Sequence, residues 1–160
     1  MGASSNQQFY KEDTLEKVLL IHNNYRKMHS SPPLKLNKNL SRKAEDIVNY
    51  LIKDMNDNLD DLLFINDNQP LGVNIYNGDK KISPEDICKE WYNENKFYNY
   101  DIDKFQKKAI HFTQIVWKNT TEVGFAFTSK KSIKCIGVAL YYPAGNIFDE
   151  FKDNVKPISK

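Results

Sequence analysis

The stretch "IKCIGVALYY", Ile133 to Tyr142, decides the fold. Side chains along a strand alternate between faces, and here neither face is polar. Ile136, Val138 and Leu140 fall on one side, Cys135, Ala139 and Tyr141 on the other. Such a strand needs cover on both sides. Just upstream, "EVGFAFT" (residues 122–128) reads as its hairpin partner across the turn "SKKS". Everything earlier reads mainly as helix, so the economical packing is three layers, with a sheet between helices.

The helices are marked by periodicity and punctuation. "DTLEKVLLIHNNYRKMH" opens with Asp13 and Glu16 as a capping box and carries Leu15, Val18, Leu19, His22 and Tyr25 at helical spacing. Pro32 and Pro33 break it. A second helix places Leu40, Ala44, Ile47, Val48, Leu51 and Met55 on one stripe. Residues 56–70 turn acidic and Asn-rich and read as a long loop. In "SPEDICKEWYNEN", Ser83 is the N-cap, Pro84 the first helical residue, and Glu85 and Asp86 suit the positive end of the dipole. Ile87, Trp91 and Glu94 share one face of that helix, which puts a carboxylate on a stripe expected to be buried. A last short helix runs from His111 to Trp117. Residues 1–12 read as a loose tail, residues 13–160 as one domain, and the segment after about 148 as a polar tail.

Composition limits the function. A chain of 160 residues, 40% hydrophobic and 28% charged, is one domain's worth, able to bury about two-thirds of its unfolded surface. A net charge of +2 creates no global field that calls for nucleic acid. Locally, Lys104, Lys107, Lys108, Lys118, Lys130, Lys131 and Lys134 face a single acid, Glu122, between residues 104 and 134. The run reads either as a solvated face or as a surface for anionic lipid. Two cysteines, Cys88 and Cys135, cannot make a disulfide framework; two buried thiols fit better than one bridge. No run has the roughly 20 apolar residues of a membrane span, and the N-terminus lacks a signal peptide's apolar core. With Met1 as the natural start, the protein is expected in the cytoplasm, peripheral to endomembranes; with Met1-Gly2 foreign, it is expected to be secreted. "MGASSN" falls one residue short of the myristoylation pattern, with Asn6 where Ser or Thr belongs, and leaves Gly2 as a candidate acylation site. Asn119 heads a glycosylation sequon, "NTT", that matters only in a secretory lumen.

Five segments, "IHNNYR" with "PPLKLNKNL", "WYNE", "HFTQIVWKNT" and "YYPAGNI", appear in an order that resembles the superfamily of cysteine-rich secretory, antigen 5 and pathogenesis-related proteins. The likeness runs from about Leu15 to Phe148 and is greatest to its intracellular, Golgi-associated branch. The resemblance implies an α+β fold, a three-layer α-β-α sandwich with a mainly antiparallel sheet between helices.

Members of that superfamily often hold a divalent cation with two histidines and two acids. By resemblance, His111 and Glu94 occupy two of those positions. The second acid is replaced by Val73, because the family's "GEN" reads "GVN", and the loop "DDLLFINDNQP" supplies no histidine. Zinc sites use three or four protein ligands. Unless Asp61 or Asp67 swings in, no metal and no other cofactor is expected beyond a weakly held divalent cation. Glu94 and His111 are then expected to form a hydrogen-bonded pair on the floor of a shallow cleft. His22 reads as a packing residue beside Asn23 and Arg26, and His29 as a cation at a helix C-terminus. No GxSxG motif or other serine nucleophile is present.

The resemblance implies sterol or fatty-acid binding in some members and anionic phospholipid binding in the intracellular branch. The expected function is therefore non-enzymatic binding of lipid, an anionic phospholipid or a sterol, at a membrane surface. Lys104, Lys107, Lys108, Lys130, Lys131 and Lys134 are its candidate contacts. Trp91, Tyr92, Phe97, Tyr98 and Tyr100 read as core and rim packing or as the wall of a lipid pocket. The alternatives are a self-associating scaffold, with a homodimer as its partner state, and, less favoured, a metal-dependent hydrolase.

Overall fold

In a computed structural model that describes residues 8–53 and 69–159, four strands form one sheet among the described residues. They are β1 (Lys35–Leu36), β2 (Gly72–Gly78), β3 (Glu122–Phe127) and β4 (Cys135–Tyr142), in the order β1-β3-β4-β2. Only β1 and β3 run parallel; the other pairs are antiparallel. The doubly apolar β4 takes an interior place, flanked by β3 and β2, with helices over both faces.

The two faces of β4 divide as its alternation requires. Cys135, Ala139 and Tyr141 join a core shared with α1 (Glu12–Met28), α3 (Pro84–Asn93) and α4 (Ile110–Val116). Ile136, Val138 and Leu140 pack against α2 (Lys38–Ile52) through Leu40, Ala44, Ile47 and Val48. The α2 layer lies so close to β3 that a Cβ on Gly124 would sit 2.3 Å from the backbone nitrogen of Ser41. Glycine is the residue that lets the helix rest there. Ser41 Oγ also accepts a hydrogen bond from Phe125 N–H at 3.1 Å.

Local signals explain the helix starts unevenly. Ser83 caps α3 by accepting Asp86 N–H, and Asn37 caps α2 by accepting Leu40 N–H. The capping box expected of Asp13 and Glu16 does not form. Helix α1 begins at Glu12, with Lys11 at the cap position and no side-chain cap, and Asp13 accepts only from Thr14 N–H.

Several expectations need revision. Strand β2, the edge partner of β4, lies in a segment that sequence reading left unassigned. Residues 8–12 are not a loose tail: Phe9 bridges Thr128, Tyr10 N–H donates to Phe127 O, and α1 starts at Glu12. Nor is the segment after Phe148 merely polar. It forms a short helix, α5 (Phe151–Asn154), whose Phe151 packs edge-on against Trp117 and whose Asn154 caps the 118–119 backbone. The loop read at residues 56–70 falls largely outside the described residues, as do Met55, Asp61, Asp67 and Gly2.

Candidate functional site

Helix α4 is seven residues long, too short to stand without help at its ends. Its first orphan donors are met from another helix. Glu94, at the C-terminal end of α3, accepts His111 N–H at 2.9 Å and Phe112 N–H at 3.4 Å through Oε1. Its Oε2 accepts from His111 Nδ1 at 2.6 Å. A carboxylate cannot donate, so a proton sits on Nδ1, and in the neutral ring Nε2 is the acceptor. The ring of Trp91 stacks on the imidazole at 6.1 Å between centroids, and both partners of the pair are about three-quarters buried, the side chains 27% and 22% exposed. The carboxylate on the apolar stripe of α3 thus has a structural task. It caps α4 and fixes the tautomer of His111.

The opposite end of α4 is closed by a cation. Arg26, buried on α1, donates all five guanidinium N–H groups to backbone carbonyls. Nε reaches Pro32 O at 2.7 Å, Nη1 reaches Ile115 O at 2.9 Å and Trp117 O at 2.8 Å, and Nη2 reaches Thr120 O at 2.9 Å and Lys118 O at 3.5 Å. Ser31 Oγ donates to Val116 O at 2.6 Å. Anion at the N-terminus and cation at the C-terminus both agree with the helix dipole.

A chain of buried polar groups runs beneath the pair. His22 Nδ1 lies 3.2 Å from Val18 O and from Cys88 Sγ, and its Nε2 is 2.7 Å from Tyr141 Oη. A proton on Nδ1, donated to the carbonyl, lets Tyr141 O–H donate to Nε2. Asn74 Nδ2 then donates to Tyr141 Oη at 3.2 Å and to His111 O at 3.1 Å. Burial holds the His22 pKa down at about 3, so the ring is neutral. The packing role read for His22 matches this arrangement.

His29 departs from its expected role. It is buried, with Nδ1 2.7 Å from Lys156 O and Nε2 2.7 Å from Tyr92 Oη, and desolvation lowers its pKa. A neutral ring fastening residues 156 and 92 replaces the cation expected at the helix end. The C-terminal segment that covers it has no hydrophobic signature strong enough to announce itself.

Val73 also lies elsewhere than expected. By alternation along β2 it points with Ile75 into the α2 layer, whereas Asn74 faces α4. The β2 side chain beneath the pair is therefore an amide, and its Oδ1 is buried without a partner. Glu94 has both oxygens committed, His111 has only Nε2 free, and Asn74 supplies no carboxylate. Among the described residues no three His, Cys, Asp or Glu side chains gather as metal ligands. The described residues around the pair do not by themselves fit a divalent-cation site.

The candidate lysines occupy two places. Lys104, Lys107 and Lys108 precede α4, which the 146 turn holds through Asn146 Nδ2 donating to Ile110 O at 3.0 Å. Lys130, Lys131 and Lys134 belong to the β3–β4 turn, at the far end of β4, roughly 25 Å of strand away from its last residue. In that turn Ile133 is 95% exposed, between Ser132 and Lys134. Of the aromatic group, Trp91, Tyr92 and Tyr98 are core, Tyr100 packs on its margin, and Phe97 is exposed. Both cysteines are buried free thiols. No described helix is long and apolar enough to cross a membrane.

The profile of the cysteine-rich secretory protein family (CAP) matches residues 19–141. The human Golgi-associated plant pathogenesis-related protein 1 is 34% identical over 168 aligned positions, covering 100% of both chains. The mouse GLIPR1-like protein 1 is 31% identical, over 82% of this chain and 60% of its own. Among solved structures, BmVAL-1 superposes with a TM-score of 0.69 at 17% identity, over 94% of this chain and 85% of its own. A structure of NaASP2 with Zn2+ gives 0.67 at 17% identity, over 97% and 90%. At such identities the two structures speak for the fold alone.

Proposed function

Since the chain belongs to the cysteine-rich secretory protein family, we propose that it is a non-enzymatic, peripheral lipid-binding protein whose membrane-facing element is the β3–β4 turn. The observation that carries this reading is Ile133, 95% exposed at the tip of a turn that also bears Lys130, Lys131 and Lys134. An apolar side chain held out into water costs free energy that insertion among lipid headgroups recovers. Each lysine near an anionic leaflet adds about 1 kcal/mol. An anionic phospholipid suits this tip better than a sterol, which offers the lysines no charge. The name of the human relative ties that protein to the Golgi, and an endomembrane site is our proposal for this chain too.

Sedimentation with vesicles of phosphatidylcholine alone and with added phosphatidylserine tests it, at low and high salt. Binding only to the anionic vesicles, weakened by salt and by Ile133→Ser, is expected. Equal recovery with both vesicle types refutes it. Self-association is favoured by one feature, the edge position of β2. Light scattering coupled to size exclusion would show a concentration-dependent mass if that edge pairs between copies.

A further inference from the structure

Behind the basic tip lies a cavity of about 340 Å³. Its walls come from distant parts of the chain: Tyr10 before α1, Lys81 and Ile82 before α3, Lys130 in the turn, and Lys134 and Cys135 at the start of β4. Three lysines are among the lining residues and no carboxylate is, although Lys134 extends its ammonium to Ile52 O, outside that lining, which leaves Lys81 and Lys130 as the cavity's cations. None of the three takes part in an ion pair among the described residues. Lys81 Nζ spends one donor on Lys130 O at 3.4 Å and retains two. Ser129 Oγ, also at this cavity, is buried with no hydrogen-bond partner.

Like charges gathered in this way repel one another, and a bound anion relieves the repulsion. The apolar part of the lining, Ile82, Cys135 and the ring of Tyr10, suits a ligand that is more than a bare ion. The end of α3 contributes little. Its first turn already carries Glu85 and Asp86, and Ser83 Oγ is taken by Asp86 N–H. Glu85 is felt here, since it adds to the desolvation that raises the Tyr10 pKa.

We propose that this cavity binds the phosphate of a glycerophosphate headgroup, whether in an anionic phospholipid or in free glycerol phosphate. The lipid source rests on the membrane reading above; the cavity's preference for phosphate does not.

Cys135 supplies a reporter within the cavity wall, being 8% exposed, while Cys88 is fully buried and inert in the native state. The rate of Cys135 alkylation by N-ethylmaleimide, read by intact mass, is measured with sn-glycerol 3-phosphate and with phosphatidylserine vesicles. Wild type is compared with the Lys81→Gln/Lys130→Gln pair and with a Lys104→Gln/Lys107→Gln pair of equal charge change. The cavity pair is expected to weaken vesicle binding about thirtyfold and to abolish protection of Cys135. The control pair should lose about threefold or less, as screened charges do. Glu85→Gln should strengthen protection. Protection by glycerol phosphate without vesicle binding keeps the cavity and sinks the membrane reading. Vesicle binding that the cavity pair weakens more than the control pair, with no protection of Cys135, sinks the cavity and leaves the membrane reading standing. Neither binding nor protection sinks both.

Discussion

Arg26→Met is the most informative single change. The replacement keeps much of the buried volume and removes five donors at once. Four of the bonds are 2.9 Å or shorter, and hydrogen bonds to a charged group contribute about 1.5–3 kcal/mol each. Losing these four without replacement would cost about 6–12 kcal/mol, taken singly. Against that, a buried cation without a counterion is itself costly, and desolvation lowers the Arg26 pKa to about 10, so removing it returns part of the loss. The net expectation is about 3–5 kcal/mol, a large share of the 5–15 kcal/mol typical of a domain. Urea denaturation followed by fluorescence of the buried Trp117 measures it. Arg26→Lys should recover less than half, because three ammonium donors cannot reproduce a planar fork. A loss below about 1 kcal/mol for Arg26→Met would refute the claim that this guanidinium holds the end of α4.

Three further outcomes are expected. Gly124→Ala should lower stability by about 2–3 kcal/mol in the same assay, because the new methyl meets backbone, not a side chain that can turn away. Acid should destabilise the fold through its buried neutral histidines. His22, held at about 3 when folded and near 6.5 when unfolded, contributes stability that is complete above pH 6.5 and lost as pH falls toward 3. The slope is about 1.4 kcal/mol per pH unit for each such ring, so urea midpoints between pH 6 and 5 should fall less steeply in His29→Gln, whose wild-type pKa is also lowered. Calorimetric titration with Zn²⁺ should show no stoichiometric site, and micromolar binding that disappears in His111→Ala would overturn the assignment of Glu94 as a cap.

What could be read beforehand was whatever had a period. The two apolar faces of β4, the stripe of α2 and the punctuation of α3 each repeat or mark themselves locally, and each appears as expected. Strand β2 hid because "GVNIYNG" begins and ends in glycine and carries two asparagines, a composition poor in strand signal, although Val73 and Ile75 do alternate. Residues 8–10 and Phe151 are too few to show a pattern; their places follow from neighbours distant in sequence. At the site, the pairing of Glu94 with His111 was foreseen, but its meaning was not, since only the fold shows the same carboxylate receiving two backbone donors. The lysine tally along residues 104–134 merged two surfaces that the sheet holds apart. Arg26 gave no signal beyond its place beside His22, because its partners are carbonyls, which every residue has.

The helix carrying His111 is bracketed by side chains from two other helices, Glu94 from α3 and Arg26 from α1. Its two turns therefore cannot fray independently of the layer around them. Amide hydrogens at Thr113 and Gln114 should exchange with solvent only as slowly as the whole domain opens, an unusual fate for so brief a segment. The imidazole inherits that stillness: its orientation was settled when the domain folded.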